Sequence, residues 1–198
     1  LFEKASIDEF YLDLTGMDKY VGCWRWSDEL REKIIRESGL PISMSLSVNK
    51  LVSKVGAGEA KPNGKKLVEN GTEREFLAPL PVGKIPSVGK ETQKKLALMG
   101  VRTVSTLAQI PPKLLEREFG KFGVALWKKA NAIDDSPVVP YHEAKSISTE
   151  RTFQTDTIDV RLLKDRLTDM VTRLAFELRQ QSNLWLTQSK KRLYRLGD

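Results

Sequence analysis

Between Ala78 and Ser136 the chain is broken by Pro79, Pro81, Pro86, Gly89, Gly100, Pro111 and Gly120, roughly one breaker every ten residues. Proline removes a backbone donor and clashes with the preceding helical turn, and glycine stops helices cheaply, so neither a long helix nor a broad sheet can cross such a stretch. The segment reads as a small all-helical domain of short helices that closes at Asp134-Asp135-Ser136-Pro137, with Val138-Val139-Pro140 beginning a linker.

The flanking segments carry other periods. From Leu1 to about Leu77 the pattern predicts a strand over 1–14, a helix from about Ser27 to Glu37, a strand from Leu40 to Ser47, a helix from Asn49 to Glu59, a strand from Lys65 to Glu69 and a short helix. Ser27-Asp28 is the expected cap of the first helix and Gly39 its stop. This order predicts an α+β layer. From Lys145 onward, SISTERTF alternates as a strand, and a helix from about Val160 to Gln181 carries Leu163, Leu167, Met170, Val171, Leu174 and Leu178 as its apolar stripe. One strand and one helix make a poor core, so this unit is expected to be a truncated α/β piece.

Composition narrows the class. The net charge of +7 favours a polyanionic partner such as nucleic acid. A single cysteine, Cys23, cannot form an intrachain disulfide and fits a reducing cytoplasm, while Cys23 and His142 together cannot supply a structural zinc site. No apolar run approaches the length of a spanning helix, so a membrane partner is not expected. Four tryptophans, Trp24, Trp26, Trp127 and Trp185, are not spaced as a base-stacking ladder, and Trp127 is expected in a core.

Three stretches bear chemistry. In SIDEFYLDLTG, Asp8 and Glu9 interrupt a strand-like run. Neighbouring strand residues point to opposite faces, so both acids can reach one metal only where the backbone turns, as at a hairpin tip. Two hard carboxylates suit Mg²⁺; a solvated turn is the alternative. In SVNKLVSKVGAGEAKPNGKK, Lys50 and Lys54 share a helix face and Lys61 opens a Lys-Pro-Asn-Gly turn, so these lysines could meet a triphosphate or could form a solvated basic face. In KIPSVGKETQKKLALMGVRTVSTLAQI, a tight turn over Pro86-Ser87-Val88-Gly89-Lys90 opens a helix in the pattern of a helix-hairpin-helix. Its exposed amides, with Lys90 and Lys94, would hold a phosphate oxygen, unless the unit serves packing alone.

These segments, with FGKFGVALWKKANAIDDSPV and KSISTERTF, resemble in content and order the Y-family (DinB/UmuC-type) DNA polymerases that copy past lesions, most closely the DNA polymerase IV branch. The resemblance runs from Leu1 to about Leu184. It implies a partial palm over 1–77, a helix-hairpin-helix thumb over 78–137, a linker over 138–144 and a partial little finger over 145–198. It also implies nucleotide addition to a primer by two-metal phosphoryl transfer. Asp8 would bridge two Mg²⁺ ions, Glu9 would ligate one of them, Lys61 would contact the triphosphate of the incoming dNTP, and Ser6 belongs to the same motif. Primer-template DNA would meet Ser87, Val88, Gly89, Lys90, Lys94, Lys121, Lys145 and Arg151.

The departures from the family carry expectations of their own. A further metal-binding Asp and the fingers lie upstream of Leu1 in the family. The chain, starting without Met inside a strand, is therefore expected to be an inactive fragment of an active cytoplasmic parent, whose sliding-clamp contact lies beyond the present end. The rival expectation is a non-catalytic duplex-DNA-binding module. Ser87 stands where the hairpin usually has its first glycine, and Gly58 where an acid is common. After Asn183 the basic tail, with Lys190, Lys191, Arg192 and Arg195, reads as a truncation, a reading-frame change or a solvated DNA-touching end.

Overall fold

The computed structural model describes residues 1–20, 22–140 and 146–180. The chain divides into two units, Leu1–Tyr141 and His142–Asp198.

The first unit opens with a hairpin where the sequence pattern predicts one strand. β1 (Phe2–Lys4) pairs antiparallel with β2 (Phe10–Leu12), with Glu3 opposite Tyr11. The predicted strand breaks because residues 5–9 turn back on themselves, with the amides of Ala5 and Ser6 both donating to Glu9 O. α1 (Cys23–Ser38) starts four residues before the predicted Ser27. Asp18 accounts for the shift: its Oδ1 accepts from Cys23 N at 2.8 Å and caps from outside the helix, whereas Ser27 Oγ donates back to Cys23 O. Gly39 ends α1 in the left-handed conformation, φ 72°, as expected.

β3 (Met44–Leu46) pairs in parallel with β4 (Lys65–Leu67), and the crossover between them is α2 (Lys50–Glu59). Asn49, predicted as the first residue of this helix, caps it instead, its Oδ1 accepting from Val52 N at 2.9 Å. A second cap comes from far along the chain, where Asp134 Oδ2 accepts from Leu51 N at 2.9 Å. α2 lies close on β3: a Cβ built on Gly56 would stand 2.2 Å from Ser45 Oγ.

The Gly/Pro-punctuated segment forms α3 (Glu73–Leu77), a 3-10 turn (Val82–Lys84), α4 (Lys90–Leu98), α5 (Val104–Gln109), α6 (Pro112–Phe119) and α7 (Lys121–Ala130). One apolar cluster joins these helices to α2: Val52, Val55 and Val68 are buried with Leu77, Ile85, Leu96, Leu107, Leu115 and Leu126. Trp127 packs against it, as expected. Leu96 faces the core while Leu98 is 89% exposed. α6 and α7 meet backbone to backbone at Gly123, where a Cβ would stand 2.0 Å from Leu115 O.

In the second unit, α8 (Val160–Gln180) is capped by Asp159, whose Oδ1 accepts from Arg161 N and Leu162 N. The predicted strand SISTERTF is not formed: residues 146–153 carry no strand, and no described strand pairs with them. The alternation of a sequence cannot supply the partner that a strand needs. The expected stripe is present on α8, but none of its residues is buried; Leu167 and Val171 are 61% and 55% exposed. Lys145, His142, Trp185 and the basic residues Lys190, Lys191, Arg192 and Arg195 lie outside the described residues.

Candidate active site

The tip of the first hairpin is built by Ser6. Its hydroxyl donates to Asp8 Oδ1 at 2.6 Å, and its Oγ accepts from Asp8 N and Glu9 N at 3.3 and 3.1 Å. This turn brings the two adjacent acids to one tip, which a straight strand would forbid. The Ser6 hydroxyl, then Asp8's own backbone amide, hold the Asp8 carboxyl below its usual range, and Lys61 and Lys54 add their positive charge. Asp8 is therefore fully ionised at neutral pH.

Two lysines of α2 answer the acids of the hairpin in different ways. Lys54 Nζ lies 2.6 Å from Glu9 Oε2, and this contact, ahead of burial in effect, raises the lysine's pKa. Lys50 shares its face as predicted but is committed to structure. Its Nζ bonds both Glu3 oxygens at 2.7 and 2.8 Å, donates to Pro137 O and lies 5.0 Å from the centre of the Tyr11 ring. Lys50 therefore fastens the hairpin to α2. Tyr11 is half-buried, and desolvation raises the pKa of its phenol. Lys61, in the turn after α2, is exposed, and its ammonium has no ion-pair partner among the described residues.

The chemistry of this donor set fits a hard divalent cation. One exposed and one half-buried carboxylate can supply oxygen ligands while water and phosphate oxygens fill the other positions. No cluster of three or more His, Cys, Asp or Glu side chains converges as a metal cage among the described residues.

The second candidate surface lies at the turn before α4. Ser87 adopts φ 75°, a left-handed conformation that favours glycine. Val88 is buried and its amide donates to Ile85 O, so it offers the surface no free backbone donor. Gly89 is extended and no side chain caps α4, which leaves the first amides of the helix without intrahelical acceptors. Lys90 and Lys94 are exposed, and Lys94 lies 2.7 Å from Glu91. Lys121 is exposed at the start of α7, and Arg151 is exposed in the second unit.

Lys129, which the sequence reading passed over, braces this turn from α7. Its Nζ donates to Pro86 O at 2.8 Å and to Ser87 Oγ at 3.2 Å. Asp134 enters the sequence reading only as part of the segment that closes the helical domain, and Arg31 does not enter it. Arg31 had a signal, a cation beside the apolar positions Leu30, Ile34 and Ile35, but nothing local names its acceptors.

The chain matches three family descriptions in order: the impB/mucB/samB family over residues 1–58, the DNA polymerase-iota thumb domain over 83–134, and the impB/mucB/samB family C-terminal domain over 144–190. It is 37% identical over 175 residues to DNA polymerase IV of Shewanella amazonensis, covering 88% of this chain and 49% of that protein. It is 34% identical over 180 residues to DNA polymerase IV of Dehalococcoides mccartyi, covering 90% of this chain and 46% of that protein. The chain thus spans about half the length of the curated relatives it matches. Among solved structures, DinB from Sulfolobus solfataricus superposes with a TM-score of 0.63 at 26% identity, covering 69% of this chain and 41% of that one. An insertion ternary complex of Dbh DNA polymerase matches equally, with the same TM-score, identity and coverage. No helix among the described residues is long and apolar enough to cross a membrane. Sequence relatives, ordered family matches and fold agree, and the chain belongs to the DinB-type Y-family of DNA polymerases.

Proposed function

We propose that this chain carries part of the palm, the thumb and part of the little finger of a translesion DNA polymerase that adds dNTPs to a primer in the cytoplasm. The observation that carries the reading is the hairpin tip, where Ser6 turns Asp8 and Glu9 together within electrostatic reach of Lys54 and Lys61. The palm is assigned to 1–77, the thumb to 78–137, the linker to 138–144 and the little finger to 145–198.

In this reading Asp8 and Glu9 would hold Mg²⁺, with Asp8 shared between two ions. Such ions, when bound, stabilise the attacking and leaving oxygens of an in-line phosphoryl transfer. The protein's part is positioning and charge. Ser6 fixes the orientation of the Asp8 carboxylate, which is ionised at neutral pH and ready to ligate. Lys61, exposed and without an ion-pair partner among the described residues, meets the triphosphate of the incoming nucleotide. Lys54 neutralises Glu9 while no cation is there. The amides of Gly89 and Lys90, with the Lys90 and Lys94 ammoniums, grip phosphates of the primer-template duplex, helped by Ser87 and Lys121, and Lys145 and Arg151 are DNA contacts assigned to the second unit by itself. Backbone contacts of this type position DNA without reading its sequence.

Asp8→Asn and Glu9→Gln in the intact protein decide the matter. Loss of primer extension with unchanged duplex affinity is expected. Full extension by either variant overturns the assignment of the acids. The second reading, a duplex-binding module without transfer activity, is favoured by the Lys54 ion pair on Glu9, and it predicts that wild-type protein binds duplex but extends no primer.

A further inference from the structure

We propose that Arg31, on α1, is a positioning residue for Lys61, acting through Asn63. The inference rests on the reading of Lys61 as a triphosphate contact.

Arg31 is 7% exposed. A buried guanidinium is costly unless its donors are met, and here three of the four bonds reach residues distant in sequence, two of them to backbone carbonyls. Nε donates to Ile42 O at 2.8 Å. One terminal nitrogen donates to Asn63 O at 2.6 Å and to Asn63 Oδ1 at 2.8 Å, and the other to Glu32. The guanidinium is a rigid planar fork, so these bonds fix the entry to β3 and the turn after α2 at one set distance.

That turn has few other supports. Asn63 adopts φ 48°, in the left-handed region, and a Cβ on Gly64 would stand 2.2 Å from Ala60 O, so the backbone doubles back tightly on the end of α2. Backbone bonds hold its two edges, Lys61 N to Gly58 O and Met44 N to Gly64 O. Among the described residues, every side-chain hydrogen bond onto residues 61–64 comes from Arg31. Lys61 stands two residues before the residue that Arg31 grips. The place of the Lys61 ammonium therefore depends on a strut from α1.

A double-mutant cycle in the intact protein tests this. Arg31→Met is expected to raise the KM for nucleotide several-fold, with little change in duplex affinity. Arg31→Met added to Lys61→Ala should raise it no further. Multiplying effects, or an unchanged KM in folded Arg31→Met, would overturn the proposal. Asn63→Gly keeps the left-handed backbone without strain and, of the two acceptors that Arg31 meets there, loses Oδ1 and keeps the carbonyl, so it should shift KM in the same direction by less; it serves if Arg31→Met does not fold.

Amide exchange gives a readout independent of turnover. In Arg31→Met the amides of Lys61 and Met44, which bond Gly58 O and Gly64 O at the two edges of the turn, should exchange faster while Val52 and Val55 stay protected, and unchanged exchange at Lys61 and Met44 would sink the strut. If Lys61→Ala alone leaves the nucleotide KM unchanged, the triphosphate reading fails, and the exchange result still decides whether Arg31 holds the turn.

Discussion

Lys54 Nζ stands 2.6 Å from Glu9 Oε2, so one of the two acids at the hairpin tip already has a cation for a partner. A metal ion that takes Glu9 must displace this ammonium. Lys54→Met should therefore tighten Mn²⁺ binding by about two- to fivefold in the absence of nucleotide, the scale of a half-exposed ion pair. Mn²⁺ titration followed by electron paramagnetic resonance measures it, and weaker or equal binding would show that Glu9 is not a ligand. The lysine's pKa is raised from 10.5, chiefly by the Glu9 hydrogen bond. The pair's contribution is thus whole below that pH and fades only as pH climbs through the raised folded value.

Ser6→Ala should move the Asp8 pKa upward toward 3.8, because it removes the largest influence holding it down. The group's folded pKa is depressed, so what it contributes to stability is present above about pH 3.8 and is lost as pH falls through the lower folded value. A carboxyl-carbon NMR titration of the two proteins gives the answer directly; coincident curves would remove Ser6 from this role.

Two glycines should respond in opposite ways to the same methyl group. Gly123→Ala drives a Cβ to within 2.0 Å of Leu115 O, backbone that cannot step aside, and should cost about 2–4 kcal/mol in urea unfolding. Gly58 lies in α2 with nothing within 4 Å of the corresponding point, so Gly58→Ala should add about 0.5–1 kcal/mol. Equal effects would mean that α6 and α7 do not touch at Gly123.

Ser87 holds φ 75° at the turn before α4. Glycine takes that conformation without a Cβ penalty of about 1–2 kcal/mol, against which stand its freer unfolded chain and the lost bond to Lys129. Ser87→Gly should raise stability by up to about 1 kcal/mol. A fall in melting temperature would show that the Lys129 contact outweighs the backbone.

Lys90→Ala with Lys94→Ala should weaken duplex binding and flatten its salt dependence by about one to two ions released. Fluorescence anisotropy across a salt series reads both quantities. An unchanged slope would remove the turn from the DNA-gripping surface.

Much of this architecture can be read locally. Asn49 before an amphipathic run, Gly39 after one, and proline or glycine at each short-helix boundary act through neighbours a few residues away, and α2, the end of α1 and the helices α3 to α7 follow the reading. The errors share a cause in distance. SISTERTF alternates but finds no described strand to pair with, and α1 starts early because Asp18 caps it from outside. The acids were legible as a pair, and their tip was foreseen as one solution, whereas the turn that forms it depends on one hydroxyl, that of Ser6. The braces from Arg31, Lys129 and Asp134 meet backbone 32, 43 and 83 residues away, a separation at which periodicity carries no information.

The cluster that joins Val52, Val55 and Val68 to Leu77, Leu96, Leu107 and Leu126 sets a rule for exchange between relatives. A chimera that swaps the short-helix segment alone parts one half of a shared interior from the other, and its new neighbours will not match in volume. Grafts that carry α2 and β4 along with those helices should keep their cooperativity, so the natural unit of transplantation is larger than the unit the breakers outline.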